Sequence, residues 1–526
     1  MMKRLRALWN KRPLLVILAA AALFRLAAAI FSAGYAMSDD HFQVIEIAQR
    51  WVDRTPGGNW FDLGEPMNRN LVYPGLHYLL FRGLEAARID DPQAKMLVVR
   101  LLHAAWSMLA MLYGYRIALR IAGPAVARRA GILLALFWLM PFMSVRNLIE
   151  FACVPALLVG FDRLLTGREE RPLRNGIAAG LWFGLAFTIR YQTALIAGPV
   201  GLVLALRREG RLFLGYAAGA IGAVGITTGL IDHIAWGYPF ASLHMYIAYN
   251  LAHRHDYIVG PWYRYILLVL AALIPPVSAL LVAGFLRMWR RSSLLFWPVF
   301  LFLFFHSLFP SKQERFILPA LPFLLLLGAA GWDAIEERFG LRGRLHPLRT
   351  SLTAWFWTLN LALLLTLTFT FSKKSAVEPM VTIARKGDLA GLIWESDRDA
   401  PPLAARFYLD DFRHPLYNYP VGKSEEKLRE EIDANRDRFP FPNYIVFHGG
   451  DRIDERVERF GRAFGKRLAL EKKVTPSLAD RIIHRMNPRR NPNRIARVYR
   501  IEERENRPWE AGGGAEGFGK TARGAS

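Results

Sequence analysis

Apolar residues in this chain are gathered into blocks of about twenty, and that grouping restricts the possible folds more than any other feature. "PLLVILAAAALFRLAAAIFS", "LFLGYAAGAIGAVGITTGLI", "YILLVLAALIPPVSALLVAGF" and "SLTAWFWTLNLALLLTLTFTF" are examples. Each has the length that a helix needs to cross ~30 Å of hydrocarbon. No water is present there to satisfy backbone N–H and C=O groups, so such segments must bond internally as helices. The expectation is an all-α polytopic membrane protein. The first block has a basic front, "MMKRLRALWNKRP". Its apolar stretch is longer than that of a signal peptide and no small-x-small cleavage site follows, so it reads as an uncleaved first span.

Taking the basic N-terminus as cytoplasmic gives about eleven spans, near 13–33, 96–119, 127–143, 147–165, 175–190, 193–207, 211–231, 262–287, 293–309, 315–332 and 351–371. The Arg-rich connections "RIAGPAVARR", "TGREERPLRN", "RREGR", "RMWRRSS" and "EERFGLRGRLHPLR" then all fall inside, as the positive-inside rule requires. The formal charge of +24 is accounted for by these loops and by membrane lipids with anionic headgroups, which leaves no case for nucleic acid. The single cysteine, Cys153, excludes an intramolecular disulfide. Residues 1–371 form the membrane domain of this expectation. Residues 372–505, where helix-like and strand-like stretches alternate, form a small extracytoplasmic α/β domain, and 506–526 a disordered tail. In that tail Gly514, Gly519, Lys520 and Thr521 match a phosphate-loop pattern, but the match lacks the strand before and the helix after that would aim it at phosphate.

The connections on the other side are longer and carry mixed charge. In "SDDHFQVIE" Ser38 can cap a short helix with Asp39 and Asp40 in its first turn, where the dipole depresses carboxyl pKa values. At 3.6 residues per turn, Asp39, Gln43, Glu46 and Arg50 share one face. The remaining outer loops supply Arg69, His77, Arg146, Asn147, Glu150, Arg190, Asp232, His233, His306, Lys312, Glu314 and Arg315. Singly, each is explained by capping, pairing or snorkelling. Jointly, cations and carboxylates converging on one leaflet suggest a pocket for an anionic substrate carried by a lipid. Trp262 and neighbouring tyrosines suit either an interfacial belt or stacking on sugar rings.

These residues carry a resemblance. The chain resembles the GT-C mannosyltransferases (glycosyltransferase family 22) that build GPI-anchor and lipid-linked glycan precursors from dolichyl-phosphate mannose. The family's first-loop pattern is similar to Ser38-Asp39-Asp40-His41-Phe42-Gln43…Glu46, and further elements to Arg69-Asn70-Leu71-Val72-Tyr73-Pro74, Asn147…Glu150 and Arg190…Thr193. Others resemble Asp232…Trp236-Gly237…Tyr249-Asn250…Gly260-Pro261-Trp262 and Ser311-Lys312-Gln313-Glu314-Arg315-Phe316…Pro319. Asp40 stands where the family has Glu, Ser311 where it has His, and Gln313 where it has an acid.

The resemblance implies an inverting transfer of mannose, or another hexose, from a polyprenyl-phosphate sugar to a hydroxyl of a lipid-linked or membrane-associated glycan acceptor. The active site would face the non-cytosolic side, the periplasm of a bacterial inner membrane or the lumen of the endoplasmic reticulum. Asp39 is the expected base, with Asp40 second, and Arg190, Lys312 and Arg315 are the expected cations for the donor phosphate. Gln43, Glu46, Arg69, Asn147, Glu150, Asp232, Trp262, His306 and Glu314 complete the expected substrate site. No metal or other cofactor is called for, since His253 and His255 have no convergent carboxylate pair. A polyprenyl-linked glycan ligase, and a lipid or sugar transporter without transferase activity, are the competing classes. A transporter is disfavoured by the lack of inverted symmetry between the halves.

Overall fold

A computed structural model describes residues 2–55, 65–338, 346–399, 402–450, 452–488, 491 and 494–503. The tail at 506–526, with its phosphate-loop-like match, lies outside the described residues. The chain divides into two compact units. One comprises Met1–Asp388, Pro402–Arg413 and Val474–Ile495; the other Leu389–Pro401, His414–Lys473 and the chain from Ala496.

The larger unit is helical and belongs to an integral membrane protein. Each expected span has a helical counterpart, but the helices are less regular than the apolar blocks. Among the described residues, five helices are long and apolar enough to cross a bilayer, or six if the bent pair Arg264–Ala272 and Val277–Arg287 is one span. The others are short or interrupted, as in Ile149–Ala152 followed by Val154–Glu169. Interrupted helices are tolerated at membrane depth where other protein groups satisfy the freed backbone. Prolines and glycines set several starts and breaks. Pro13, Pro92 and Pro172 open helices at positions where the missing N–H has no partner to lose. Pro92–Leu136 holds 45 residues, about 67 Å if straight, which is twice a hydrocarbon core. Gly123, at φ 81°, and Pro124 break it into two.

Packing between Pro172–Ile189 and Gly210–Val224 uses small residues. A Cβ at Gly180 would lie 2.1 Å from the Tyr216 carbonyl, and one at Gly219 2.2 Å from that of Ile177. The two backbones therefore touch, the usual way for helices to associate in lipid, where burial from water offers no drive. Not every charge near the span ends belongs to a pocket. Arg146 clamps the chain at Ala33 and Gly34 by bonds to their carbonyls, and also reaches Ser372.

The smaller unit holds a five-stranded sheet of order β2-β1-β3-β5-β4, with β1 Leu392–Ser396, β2 Leu416–Pro420, β3 Tyr444–His448, β4 Lys466–Val474 and β5 Ala496–Glu503. β1 runs parallel to β2 and β3, with Ile393 opposite Ile445, and β5 runs antiparallel to β3. β1 and β3 are buried along their whole length, as parallel central strands covered on both faces are. Glu395 of β1 tolerates that burial because Arg456 donates to both its oxygens, at 2.9 and 2.7 Å.

Candidate active site

One cavity of about 350 Å³ in the larger unit collects residues from six separated stretches of chain. Asp39 and Gln43 enter from the first loop, Arg69 from the chain beyond it, and Glu150 and Arg190 from two span ends. Tyr246, Tyr249 and Arg254 come from Ala241–Ala252 and the turn after it, and Arg315 from a 3₁₀ segment, Glu314–Ala320.

The first loop does not fold as the helical count supposes. A three-residue helix, Ser38–Asp40, begins after Met37, so Ser38 is its first residue and makes no side-chain cap. A π-helical turn, His41–Ile45, follows before Glu46–Asp53 resumes the α form. The wider turn rotates everything beyond it relative to Asp39. Asp39 and Gln43 consequently face the cavity while Glu46 turns away. Glu46 is buried and accepts the Phe407 N–H at 3.1 Å. Burial pushes its carboxyl up to about 7, against the pull of that amide. Arg50 lies over the Phe412 ring, 4.5 Å from its centroid.

Two adjacent carboxylates thus have different surroundings. Asp39 is half exposed to the cavity and paired with Arg315, with Arg69 at 4.0 Å. Burial would raise its carboxyl, but Arg315 and Arg69 outweigh this and hold it below the usual carboxylate range. Asp40 is fully buried behind it, accepting from Arg69 at 2.9 Å and Arg315 at 3.4 Å. Burial, together with the nearby Glu150 charge, pushes Asp40 up to about 6 despite both arginines. The depression expected of both carboxyls is found at Asp39, and burial reverses it at Asp40. Asn147 fixes the turn by donating to the Asp40 carbonyl at 2.8 Å.

Behind these, Glu150 pairs with Arg190, and its Oε1 lies 3.5 Å from Arg315 Nε. Arg315 therefore serves three carboxylates at once, and Gln313 orients its Nε at 2.9 Å. Both Glu150 Oε2 and Arg190 Nε are buried and lack a hydrogen-bond partner among the described residues.

Other expected residues take positions away from the cavity lining. The Lys312 ammonium donates to the carbonyls of His306 at 3.1 Å and Ser307 at 2.9 Å, and also to that of Phe309. It caps the helix Ser293–Leu308, whose last carbonyls have no partner of their own. His306 is buried against the Phe302 carbonyl. Glu314 pairs with Arg264 at 2.7 Å, and Trp262 is exposed. Asp232 accepts from the Ser242 N–H at 2.8 Å and its hydroxyl at 2.6 Å. Ser242 in turn holds the hydroxyl of the cavity-lining Tyr191, so Asp232 is one step removed.

Several lining groups have no counterpart in the sequence reading. Tyr246 and Tyr257 stand with Tyr249 on one wall, and His253 stacks on Tyr249 with ring centroids 4.2 Å apart. Arg254 lines the cavity between the two histidines that drew attention only as poor metal ligands. Among the described residues, no group of three or more His, Cys, Asp or Glu is arranged to hold a metal. The available chemistry is an exposed, ionised carboxylate for a hydroxyl proton, arginines for developing phosphate charge, and aromatic walls for sugar or lipid.

This helical arrangement is that of the GT-C membrane glycosyltransferases. ArnT from Cupriavidus metallidurans shares the fold, with a TM-score of 0.57 at 15% identity, covering 92% of this chain and 97% of that one. The same protein bound to undecaprenyl phosphate gives a TM-score of 0.56 at 14% identity, with the same coverage. A family model assigns residues 16–386, and the chain belongs to the Alg9-like mannosyltransferase family. GPI mannosyltransferase 3 of Yarrowia lipolytica is 25% identical over 327 residues, 61% of this chain and 62% of that protein. Mannosyltransferase APTG1 of Arabidopsis thaliana is 24% identical over 328 residues, 60% of this chain and 58% of that protein. The chain thus spans about three fifths of the length of the curated relatives it matches.

Proposed function

We propose that this chain is an inverting glycosyltransferase. It moves mannose, or a similar hexose, from a polyprenyl-phosphate sugar to a hydroxyl of a membrane-associated glycan or lipid on the non-cytosolic face. Family membership supports the reaction class, and the structural neighbour bound to undecaprenyl phosphate supports a lipid-linked donor. The basic N-terminus and the Arg-rich loops support the orientation, with the segments that line the cavity, and residues 372–505, outside. The observation that carries the assignment is Asp39: a half-exposed carboxylate, held ionised by Arg315 and Arg69, at the wall of a cavity that also holds Arg190.

In a single displacement the acceptor oxygen attacks the anomeric carbon and its proton passes to Asp39. The bond from that carbon to phosphate oxygen breaks, and the electron pair leaves on the polyprenyl phosphate, whose charge rises by one. Phosphate is an adequate leaving group once that charge is stabilised, so no general acid is required. Asp40 and Asn147 act as positioning groups, fixing Arg69, Arg315 and the turn that carries Asp39. The test is radiolabelled polyprenyl-phosphate mannose incubated with purified protein and host membrane lipids. Label in a new lipid or glycan product supports the proposal. Label moved across the bilayer without a new bond would replace it with transport, and transfer of a whole glycan from a diphosphate lipid would replace it with a ligase.

A further inference from the structure

Four arginines line the cavity among the described residues: Arg69, Arg190, Arg254 and Arg315. Three are already matched by carboxylates. Arg69 pairs with Asp40, Arg190 with Glu150, and Arg315 with Asp39 while also touching the other two acids. Three cations against three anions leave that cluster near neutral, and buried carboxylates do not release an arginine without a large cost. Arg254 is different. It sits exposed on the turn that follows Ala241–Ala252, and it makes no hydrogen bond or ion pair among the described residues. It is the surplus positive charge of the cavity.

We infer that Arg254 is the phosphate-binding cation of this site, holding the single negative charge of a polyprenyl phosphodiester. The inference rests on the glycosyltransfer reading above and adds a residue to it. A phosphodiester carries one charge, which one unpaired guanidinium matches, and the planar fork of that group suits two phosphate oxygens. Tyr249 and Tyr257, beside Arg254 on the same wall, offer aromatic surface for the adjoining sugar or isoprene unit. When the glycosidic bond breaks, the leaving phosphate gains a second charge while the proton goes to Asp39. The Arg254 contact therefore strengthens on the way to the transition state, so it acts on kcat as well as on binding. Lys312, whose ammonium is spent on three backbone carbonyls, does not compete for this role.

The test uses the full chain in detergent and equilibrium binding of a short-chain polyprenyl phosphate, which requires no turnover. R254A should weaken binding about ten- to hundredfold, the range for losing a charged hydrogen-bonding partner. R254K should lose less, and R290A, an exposed arginine outside the cavity, should bind as wild type does. Arg254 has no partner to orphan, so R254A should fold normally, which thermal unfolding checks. Wild-type affinity in R254A, or no binding by wild type, overturns the inference. Inorganic phosphate that binds as tightly as the lipid, with the same R254A dependence, also overturns it in favour of a free-phosphate site. Weakened lipid binding in R254A with no sugar transfer by wild type keeps the inference and removes the transferase reading. Undiminished transfer by R254A does the reverse.

Discussion

Two cavities of nearly equal volume, about 350 and 360 Å³, flank different parts of the chain around the helix Leu321–Arg338: Arg315 and Phe316, just before its start, line one, and Ala329, Trp332 and Glu336, in its second half, line the other. Both have arginines and acids at their walls, and the way those charges are held separates them. At the far end, Asp333 pairs with Arg129 and Glu336 with Arg349 at 3.2 Å, while Trp332 donates to Glu336 at 2.9 Å. The two arginine side chains are 33% and 45% exposed, so water or headgroups share the charge. The rest of that cavity is apolar, from Leu, Ile, Val, Ala, Phe and Trp, apart from Thr353. At the near end, Asp40, Glu150 and Arg190 are at most 2% exposed and Arg315 is divided among three acids. Ion pairs whose arginines reach water add little stability, even where the acid itself is buried. A shared, desolvated array with unpartnered atoms is costly to maintain, and such arrangements mark sites where charge acts on a ligand. Cavity volume alone would not have distinguished the two.

The sharpest way to break this contrast is at Asp39. Asp39→Asn should lower transfer by about a thousandfold with unchanged expression and thermal unfolding, because its side chain is half exposed. Wild-type turnover would return the acid pair to a structural role. Arg315→Ala should lower transfer about a hundredfold and also cost about 3–5 kcal/mol of stability, since it strands buried carboxylates. Unfolding in detergent checks the second effect, and Arg315→Lys should recover part of both.

Acidity sharpens the comparison further. Asp40 titrates near 6 in the folded chain, above its value in an unfolded chain, so the native state holds a proton that the unfolded chain has already released. The contribution of Asp40 to stability therefore falls as pH rises from about 4 to about 6. Activity should run the other way. Protonating Asp40 weakens its hold on Arg69 and Arg315, so a pH–rate profile should fall with a one-proton slope below about pH 6. Asp40→Asn should remove that limb from whatever activity it retains. The smallest effect belongs to the far end: Arg349→Ala should cost about 1–2 kcal/mol of stability, because Glu336 is buried but keeps the Trp332 N–H, and leave transfer unchanged. A tenfold loss of transfer there would show the two ends to be coupled.

Much of the fold is legible in the apolar blocks, because hydrocarbon admits few alternatives to a helix. The break at Gly123-Pro124 and the bend between Arg264–Ala272 and Val277–Arg287, which falls at Pro275-Pro276, are both marked in the letters, but the angle of the bend is not. Within the site, Asp39, Gln43, Arg69, Glu150, Arg190 and Arg315 are all singled out by residue type and spacing, and all line one cavity. Glu46 illustrates where counting stops working. A single π turn, invisible in the letters, moves it from the cavity face to the Phe407 amide. Lys312 illustrates another limit. A lysine just beyond a helix can bind a phosphate or cap the last carbonyls, and only its partners distinguish the two. Arg254 sits in an unremarkable loop, and its interest lies wholly in what its neighbours already hold.

Sequence by itself thus determined that this chain crosses a membrane many times, which loops are basic, and which charged residues lie near the span ends. These follow from the solvent, which acts on each segment separately. Tertiary structure decided which charge meets which, that Asp39 opens to the cavity while Asp40 is sealed behind it, and that one arginine in four is left without an acid. Electrostatic pairing depends on distances of a few ångströms between segments up to 276 residues apart, and no local pattern encodes those distances.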